Sequence, residues 1–311
     1  MTSHNLRHIV AMARDARMST TYKPALLKAI VRVVRDGNVE TIPIRRLALE
    51  FAQLYWVQTN VFHLRQAAVI SKEPGIIRAL RAASDRNCAR LLSEVPSAER
   101  DGLVTAIGKT LTIDVLRRFH ASKPDDAPPL FEWNKGEAGV RLVPGARAFI
   151  LDNQNVLLMI ADLWWARYLE SVNVLAPAII EKVERDGARR GSLAPFLAVL
   201  NGFGEDRCFY CERALSRVES IHVDHVIPWS FILADPLWDL VLTCSSCNLS
   251  KSDRLPAREF IAKLEATNER RVRSRASLLL GPPVLEHASG VSRLFDAAVS
   301  VEWPRFWTPG S

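Results

Sequence analysis

Long apolar runs are absent from this sequence of 311 residues. The longest apolar stretch, over residues 155–165, is shorter and more polar than the roughly 20 apolar residues that a membrane-spanning helix needs. A secretion signal is also missing, because charged residues interrupt the N-terminal segment throughout. We therefore expect a cytoplasmic protein that has no membrane partner.

Cysteine is scarce, with five residues in the whole chain. In a cytoplasmic protein such cysteines favour metal binding or packing over disulfides. Four of them form two CxxC pairs, Cys208 with Cys211 and Cys244 with Cys247, and each pair offers two thiolates from one tight turn. Two such turns supply the tetrahedral sulfur set that Zn²⁺ prefers, and four cysteines leave no open position. The pairs therefore predict a structural zinc site, whereas Cys88 is expected to be a small buried residue of a helix.

An excess of acidic charge is missing as well, since the formal net charge is +7 at pH 7. Residues 1–120 contain 19 Lys and Arg against 10 Asp and Glu, whereas residues 121–200 (9 against 10) and 201–311 (13 against 14) are each nearly balanced. A basic N-terminal part favours a nucleic-acid partner. Many basic proteins bind no nucleic acid, so charge alone leaves both readings open.

No internal repeat or low-complexity tract divides the chain. Apolar residues at helical spacing predict helices over residues 23–36, 44–56, 76–92, 97–119, 154–171 and 176–190. The segments LFEW and VRLV predict a hairpin that turns at 134–139, with a further strand over 147–151. We expect an α+β protein in three parts: a mainly helical, basic recognition or regulatory region with this small hairpin (1–200), a zinc-held module (201–260) and a C-terminal helical tail that packs on the core (261–311).

The residues between the two cysteine pairs have the composition of a catalytic site. Asp224 and His225 end a short predicted strand, and a second strand over 239–243 leads into the second pair, after which Asn248 opens a helix. Asp224 and Asn248 offer oxygen ligands of the kind that Mg²⁺ or Mn²⁺ prefers. His225 is the natural general base, and Lys251 is positioned in sequence to neutralise a phosphate.

This arrangement resembles the HNH endonuclease family and its ββα-metal fold. The match rests on Asp224-His225 between two CxxC knuckles and on Asn248 and Lys251 just after the second knuckle, and their spacing is also similar to that in the HNH domain of the RNA-guided CRISPR nuclease. The resemblance covers about 55 residues. It implies that Asp224 and Asn248 hold the catalytic Mg²⁺ or Mn²⁺, that His225 is the general base and that the cysteines hold a structural Zn²⁺.

One position departs from the family pattern. The family usually has Asn after the loop, where this chain has Asp239, which keeps an acceptor oxygen but loses two N–H donors. Asp239 is a candidate catalytic residue together with His225 and Lys251. The aspartate in place of asparagine leaves two readings, retained activity and weakened activity. His222 shares a strand face with Asp224, and it is either an auxiliary ligand or an exposed structural residue. The arginines of a predicted helix over 259–280, Arg270, Arg271, Arg273 and Arg275, either follow a phosphate backbone or form a solvated face.

Three functional hypotheses follow. The first is an endonuclease that hydrolyses DNA phosphodiesters and contacts the phosphate backbone, in bacterial antiviral defence or restriction, a setting implied by architectural resemblance. The second is a zinc-held nucleic-acid-binding subunit with a weak or inactive site. The third is a nuclease that cuts only when a defence-system partner protein or a signal molecule engages residues 1–200.

Overall fold

The computed structural model describes residues 2–15, 18, 20–68, 73–119, 129–185, 191–218, 220–273, 290–304 and 306–310. The chain divides into two compact units. The first, here called the helical unit, consists of Met1–Val174 and Ile179–Ala188, and the second, here called the cysteine unit, consists of Leu175–Ala178 and Arg189–Ser311.

The helical unit is built mainly from amphipathic helices. In chain order these are α1 (Thr2–Asp15), α2 (Tyr22–Asp36), α3 (Ile44–Trp56), α4 (Gly75–Asn87), α5 (Ser97–Thr110), α6 (Leu116–Phe119), α7 (Ala146–Asp152), α8 (Gln154–Val172) and α9 (Ile179–Glu184). One π-helical turn (Val57–Val61) extends α3 and another (Leu111–Val115) joins α5 to α6. The predicted helices over 23–36, 44–56 and 154–171 are confirmed almost to the residue.

Helix α2 is central in this unit because it packs against α3, α7 and α8. Its leucine and isoleucine side chains are fully buried, which explains its strong apolar periodicity. An ion pair between Lys28 on α2 and Asp162 on α8, 2.5 Å long and almost wholly buried, joins the two helices. Each charge thereby compensates the other for the loss of hydration.

A small antiparallel sheet completes the helical unit. Its strands are β1 (Thr41–Pro43), β2 (Phe131–Glu132) and β3 (Gly139–Leu142), in the order β1-β3-β2. The predicted hairpin is confirmed as β2 and β3, and the sequence analysis missed β1, which has only three residues.

Two local predictions in this unit are wrong. Residues 147–151 form part of helix α7 and not a strand, since the short run FIL buries Phe149 and Ile150 on one helical face. Cys88 is exposed, because α4 ends at Asn87 and Cys88 takes a left-handed conformation (φ 48°) directly after it.

The cysteine unit is a two-stranded sheet covered by helices. Its elements are α10 (Ala194–Asn201), β4 (Ile221–His225), α11 (Trp229–Ile232), β5 (Leu240–Cys244), α12 (Ser245–Lys251), α13 (Arg258–Arg273) and α14 (Val291–Ser300), with single 3₁₀ turns at Leu215–Arg217 and Leu237–Asp239. Strands β4 and β5 are antiparallel, and His225 lies opposite Leu240 at the end next to the loop. The α+β class predicted from the sequence is confirmed.

The last described residues belong to the core of this unit. Trp303 and Trp307 are buried, and their ring nitrogens donate to the Asp253 carbonyl (2.9 Å) and the Ser250 hydroxyl (3.1 Å). Trp307 also exchanges backbone hydrogen bonds with Leu255 and Ala257. The C-terminal segment therefore packs against the end of α12 and the residues that follow it. Among the described helices, none combines the length and the apolar composition that a membrane span requires.

Candidate functional site

The four paired cysteines converge at one point of the cysteine unit. Cys208 and Cys211 lie in a tight hairpin closed by bonds from the Cys208 amide to the Arg213 carbonyl (2.8 Å) and from the Glu212 amide to the Cys208 carbonyl (3.0 Å). Glu212 turns the chain in a left-handed conformation, with φ at 61°. Cys244 ends β5 and Cys247 lies in the first turn of α12. All four sulfur atoms lie within 4.8 Å of one another.

The cluster has the dimensions and the chemistry of a zinc site. Tetrahedral zinc with bonds of about 2.3 Å separates its sulfur ligands by about 3.8 Å, and the Cys211 and Cys244 Sγ atoms are 3.8 Å apart. Burial, followed by the neighbouring cysteines, raises the pKa of Cys247. Burial alone would also raise the pKa of Cys244, but hydrogen bonds from Ser246 and the Cys247 amide lower it to about 6. The group of thiols therefore fits a bound cation that stabilises four thiolates together.

Asp224 lies on β4 with its carboxylate enclosed by the protein. Its Oδ2 atom accepts a hydrogen bond from the Tyr210 hydroxyl (2.7 Å) and lies 3.1 Å from Nζ of Lys251. Only 4% of the residue is exposed. Among the described residues, none donates a hydrogen bond to Oδ1. One carboxylate oxygen is thus held by the protein, and the other is available to a ligand.

Lys251 is fully buried at the end of α12. Besides the contact with Asp224, its ammonium donates to the backbone carbonyl of His225 at 2.6 Å. The sequence analysis expected this side chain to face a phosphate. In the structure the ammonium points into the protein, where it joins α12 to the two last residues of β4.

His225 ends β4 and is also almost wholly buried. Its Nε2 atom lies 2.9 Å from Oδ1 of Asp235, a residue of the loop between the two strands. The two atoms lie within ion-pair distance, but they form no well-aligned hydrogen bond.

Asn248 lies on α12, which packs against β4. Its Nδ2 atom is 2.9 Å from Nδ1 of His222, whose Nε2 atom is 3.1 Å from the Ser220 hydroxyl. In the described chain no hydrogen bond reaches Oδ1 of Asn248. The structure therefore gives the two residues proposed as ligands a common feature: one side-chain atom is bonded within the protein, and Oδ1 is not.

The spacing of these residues along β4 and α12 places their side chains where the two elements face each other. His222 and Asp224 lie two residues apart and share a face of β4, and Asn248 and Lys251 lie three apart and share a face of α12. The contacts His222–Asn248 and Asp224–Lys251 then run in order along the two elements. No hydrogen bond joins Asp224 directly to Asn248 among the described residues.

Asp239 closes the loop that follows β4. Its Oδ1 atom accepts a bond from the Ile227 amide (2.9 Å), and its backbone carbonyl accepts one from the Val226 amide (3.0 Å). The side chain is fully buried. Burial raises the pKa of this carboxyl well above its usual range, although the Ile227 amide and Lys251 oppose the shift. The acceptor function that an asparagine would provide at the loop is therefore present.

The predicted helix over 259–280 is α13, which is described as far as Arg273. Arg271 is buried, and its guanidinium binds Glu205 through Nε (2.6 Å) and Nη2 (2.8 Å), so it does not belong to a surface that follows a phosphate backbone. Arg273 is exposed and Arg275 lies outside the described residues.

Two residues of this region were missed by the sequence analysis. Tyr210 has one signal, its place between Cys208 and Cys211, but nothing in the sequence indicates that its hydroxyl reaches a strand 14 residues further on. Asp235 lies in a loop without a motif, so its contact with His225 follows only from the path of the chain. The sequence indicates residue types, and the tertiary structure shows their partners.

Neither a curated protein nor a solved structure matches the chain significantly. The model of the HNH endonuclease family matches residues 208–257. This segment contains both cysteine pairs, both strands and helix α12. The predicted resemblance is confirmed, since residues 208–257 match the HNH endonuclease family.

Proposed function

We propose that this protein is a metal-dependent endonuclease that hydrolyses phosphodiester bonds of DNA. One observation carries the proposal: Asp224 and Asn248, on facing elements, each have one side-chain atom bonded within the protein and Oδ1 without such a bond. Two side-chain oxygens fit Mg²⁺ or Mn²⁺, which keep several waters and take few protein ligands. Such an ion, held by Asp224 and Asn248, would stabilise the negative charge that develops at the scissile phosphate.

His225 is the general base in this proposal. It accepts a proton from the water that attacks phosphorus, and Oδ1 of Asp235 lies 2.9 Å from Nε2 of its ring. The side chain is only 2% exposed, so the substrate reaches a small part of the ring. This burial favours one geometry of attack over many.

The remaining residues position these groups. We assign Lys251 the role of holding Asp224 and the end of β4, in place of a direct contact with phosphate, because its ammonium is buried against both. Asp239 holds the loop through the Ile227 amide. The four cysteines hold a structural Zn²⁺ that keeps β5, α12 and the first knuckle together, since no coordination position is left for a substrate.

The biological setting of the protein is inferred from the sequence alone. A role in antiviral defence or restriction, a cytoplasmic location, and a partner or signal that acts through residues 1–200 stay predictions from the sequence. HNH chemistry acts on the phosphate backbone and carries no sequence information by itself. We therefore propose that the basic N-terminal region chooses the target.

The test is cleavage of supercoiled plasmid by the zinc-loaded full chain in Mg²⁺, in Mn²⁺ and in EDTA. We expect metal-dependent nicking by the wild type and a loss of at least about 100-fold in His225→Ala, the usual contribution of a general base. Glu259→Ala, an exposed change on α13, is the matched control and should cleave as the wild type does.

Each alternative hypothesis has its own outcome in this assay. Salt-dependent DNA binding without cleavage in any metal would favour a binding subunit over an enzyme. Cleavage that begins only on addition of a partner fraction would favour the activated nuclease. Equal cleavage by wild type and His225→Ala would exclude the proposed mechanism.

A further inference from the structure

Tyr210 links the cysteine cluster to the proposed cation site. It lies between Cys208 and Cys211, and its ring is buried among Phe209, Phe260 and Trp307, with ring centroids 4.9–5.2 Å away. Its hydroxyl reaches Oδ2 of Asp224 at 2.7 Å. Contacts on three sides hold the tyrosine ring in one position, and its hydroxyl is therefore held in one position as well.

The backbone of Tyr210 is fixed by the knuckle itself. The hairpin that contains it is closed by the bonds between Cys208 and residues 212 and 213, and the Phe209 amide donates to the Leu242 carbonyl of β5 at 2.9 Å. The sulfurs on either side of Tyr210 belong to the four-cysteine cluster. Whatever holds that cluster together also holds the tyrosine.

Within the described part of the chain, two polar contacts hold the Asp224 carboxylate, and they converge on the same oxygen. Tyr210 and Lys251 approach Oδ2 from different elements, the knuckle and α12, at 2.7 and 3.1 Å. Two contacts at one oxygen fix the rotation of the carboxylate. Oδ1 is then directed by the protein before any cation binds.

We propose that Tyr210 is a positioning residue that couples the zinc knuckle to the catalytic cation: it holds Asp224 at Oδ2, so that Oδ1 alone binds the ion. The inference rests on the proposed function, because it assumes that Asp224 is a ligand of the catalytic ion. It adds a role for the knuckle beyond folding, since the zinc site then determines the orientation of a ligand in the neighbouring site.

Partners of metal ligands usually contribute 10- to 100-fold to metal affinity. We therefore expect Tyr210→Phe, which removes only the hydroxyl, to bind Mn²⁺ about tenfold more weakly than the wild type. The measurement is the signal of free Mn²⁺ in electron paramagnetic resonance, during titration of the zinc-loaded full chain. Zinc content should remain one per chain, which a general loss of structure would not allow. Cleavage by the variant should recover at high Mn²⁺.

Two further variants make the result specific. Tyr55→Phe removes another buried tyrosine hydroxyl, 2.8 Å from Thr21 in the helical unit, and it should leave Mn²⁺ affinity unchanged. Asp224→Ala should lose the Mn²⁺ site. If Asp224→Ala loses the site but Tyr210→Phe binds as the wild type does, the inference is overturned and the proposed function stands. If Asp224→Ala binds as the wild type does, the proposed cation site fails, and the inference fails with it.

If Tyr210→Phe does not retain zinc, the test uses 3-fluorotyrosine at position 210, which keeps the hydroxyl and nearly the size of the ring. We expect its ¹⁹F resonance to shift on titration with Mg²⁺ in the wild-type background and not in Asp224→Ala. A ¹⁹F resonance that does not shift with Mg²⁺, although the wild-type protein binds Mg²⁺, would overturn the inference.

Discussion

Asp239 has a carboxyl group in a place where water does not reach it. The loop closes over the side chain, and its one side-chain hydrogen bond in the described chain comes from the Ile227 amide. A carboxylate in such a place loses its hydration and gains little in return. The HNH family pattern has asparagine here, which offers the same acceptor oxygen without a charge.

This burial predicts a pH-dependent stability. Because the folded pKa of Asp239 is raised above the unfolded value of about 3.9, the folded state binds the proton more tightly. The stability is fully present below the unfolded pKa and is lost as pH rises through the folded pKa. Asp239→Asn should therefore be more stable than the wild type at pH 8, by roughly 1 to 3 kcal/mol, and this advantage should shrink towards pH 4.

Thermal melting of both proteins between pH 4 and pH 8 measures this difference. The Asn variant should show the flatter profile. A difference that stays constant with pH would mean that Asp239 is not the group responsible.

Asp235 predicts a second effect at the residue scale. Oδ1 of Asp235 lies 2.9 Å from Nε2 of His225, so Asp235→Asn removes a negative charge beside the imidazole ring while keeping the shape of the side chain. We expect kcat for plasmid cleavage to fall about tenfold and KM for DNA to stay unchanged, because the change acts on the base and not on binding. Steady-state kinetics separate the two, and a rise in KM at constant kcat would assign Asp235 to substrate binding.

At the scale of elements, the two cysteine pairs stabilise a segment whose own apolar core is small. The HNH segment has two strands of five residues and two helices of four and seven residues, which alone bury too little apolar surface to fold. Helices α13 and α14 and the residues Trp303 and Trp307 supply much of the remaining core. The four-cysteine cluster joins β5 and α12 to the first hairpin, which has no regular strand of its own.

Cys208→Ser should therefore remove zinc and the folded state of this module together. The apparent free energy of a structural zinc site, about 10 to 16 kcal/mol, equals or exceeds the stability of a typical domain. Metal analysis should show no bound zinc, and calorimetry should lose the transition of the cysteine unit. Ser216→Ala, an exposed change between the knuckles, is the control and should keep one zinc. A variant Cys208→Ser that melts as the wild type does would show that the cluster is not needed for folding.

Strong local patterns explain which elements the sequence could predict. Helices α2, α3 and α8 have continuous apolar periodicity, and the cysteine spacing with Asp224, His225 and Asn248 indicates the strands and helix of the site. Residues 147–151 have a short apolar run that fits a strand or a helix equally well, and tertiary packing determines that it forms helix α7. Strand β1 exists only through its pairing with β3, which lies about 100 residues further on and has no local signal.

At the scale of the whole molecule, the two units differ in what their sequences say about function. The HNH domain lies in the cysteine unit, where order and spacing of a few polar residues indicate a reaction. The helical unit has no comparable motif, and several of its arginines form ion pairs with acidic neighbours, among them Arg45 with Asp101 and Arg86 with Glu99. Net charge therefore predicts a nucleic-acid partner for this unit without indicating a binding surface.

Cleavage by this protein is proposed to require one ion, held by Asp224 and Asn248. The most direct measurement is the rate of plasmid nicking against Mn²⁺ concentration for the wild type and for zinc-loaded Asn248→Ala. We expect a saturable, Mn²⁺-dependent rate for the wild type and a loss of at least about 100-fold for the variant at the same Mn²⁺ concentration, with unchanged zinc content. Identical curves for the two proteins would contradict this proposal.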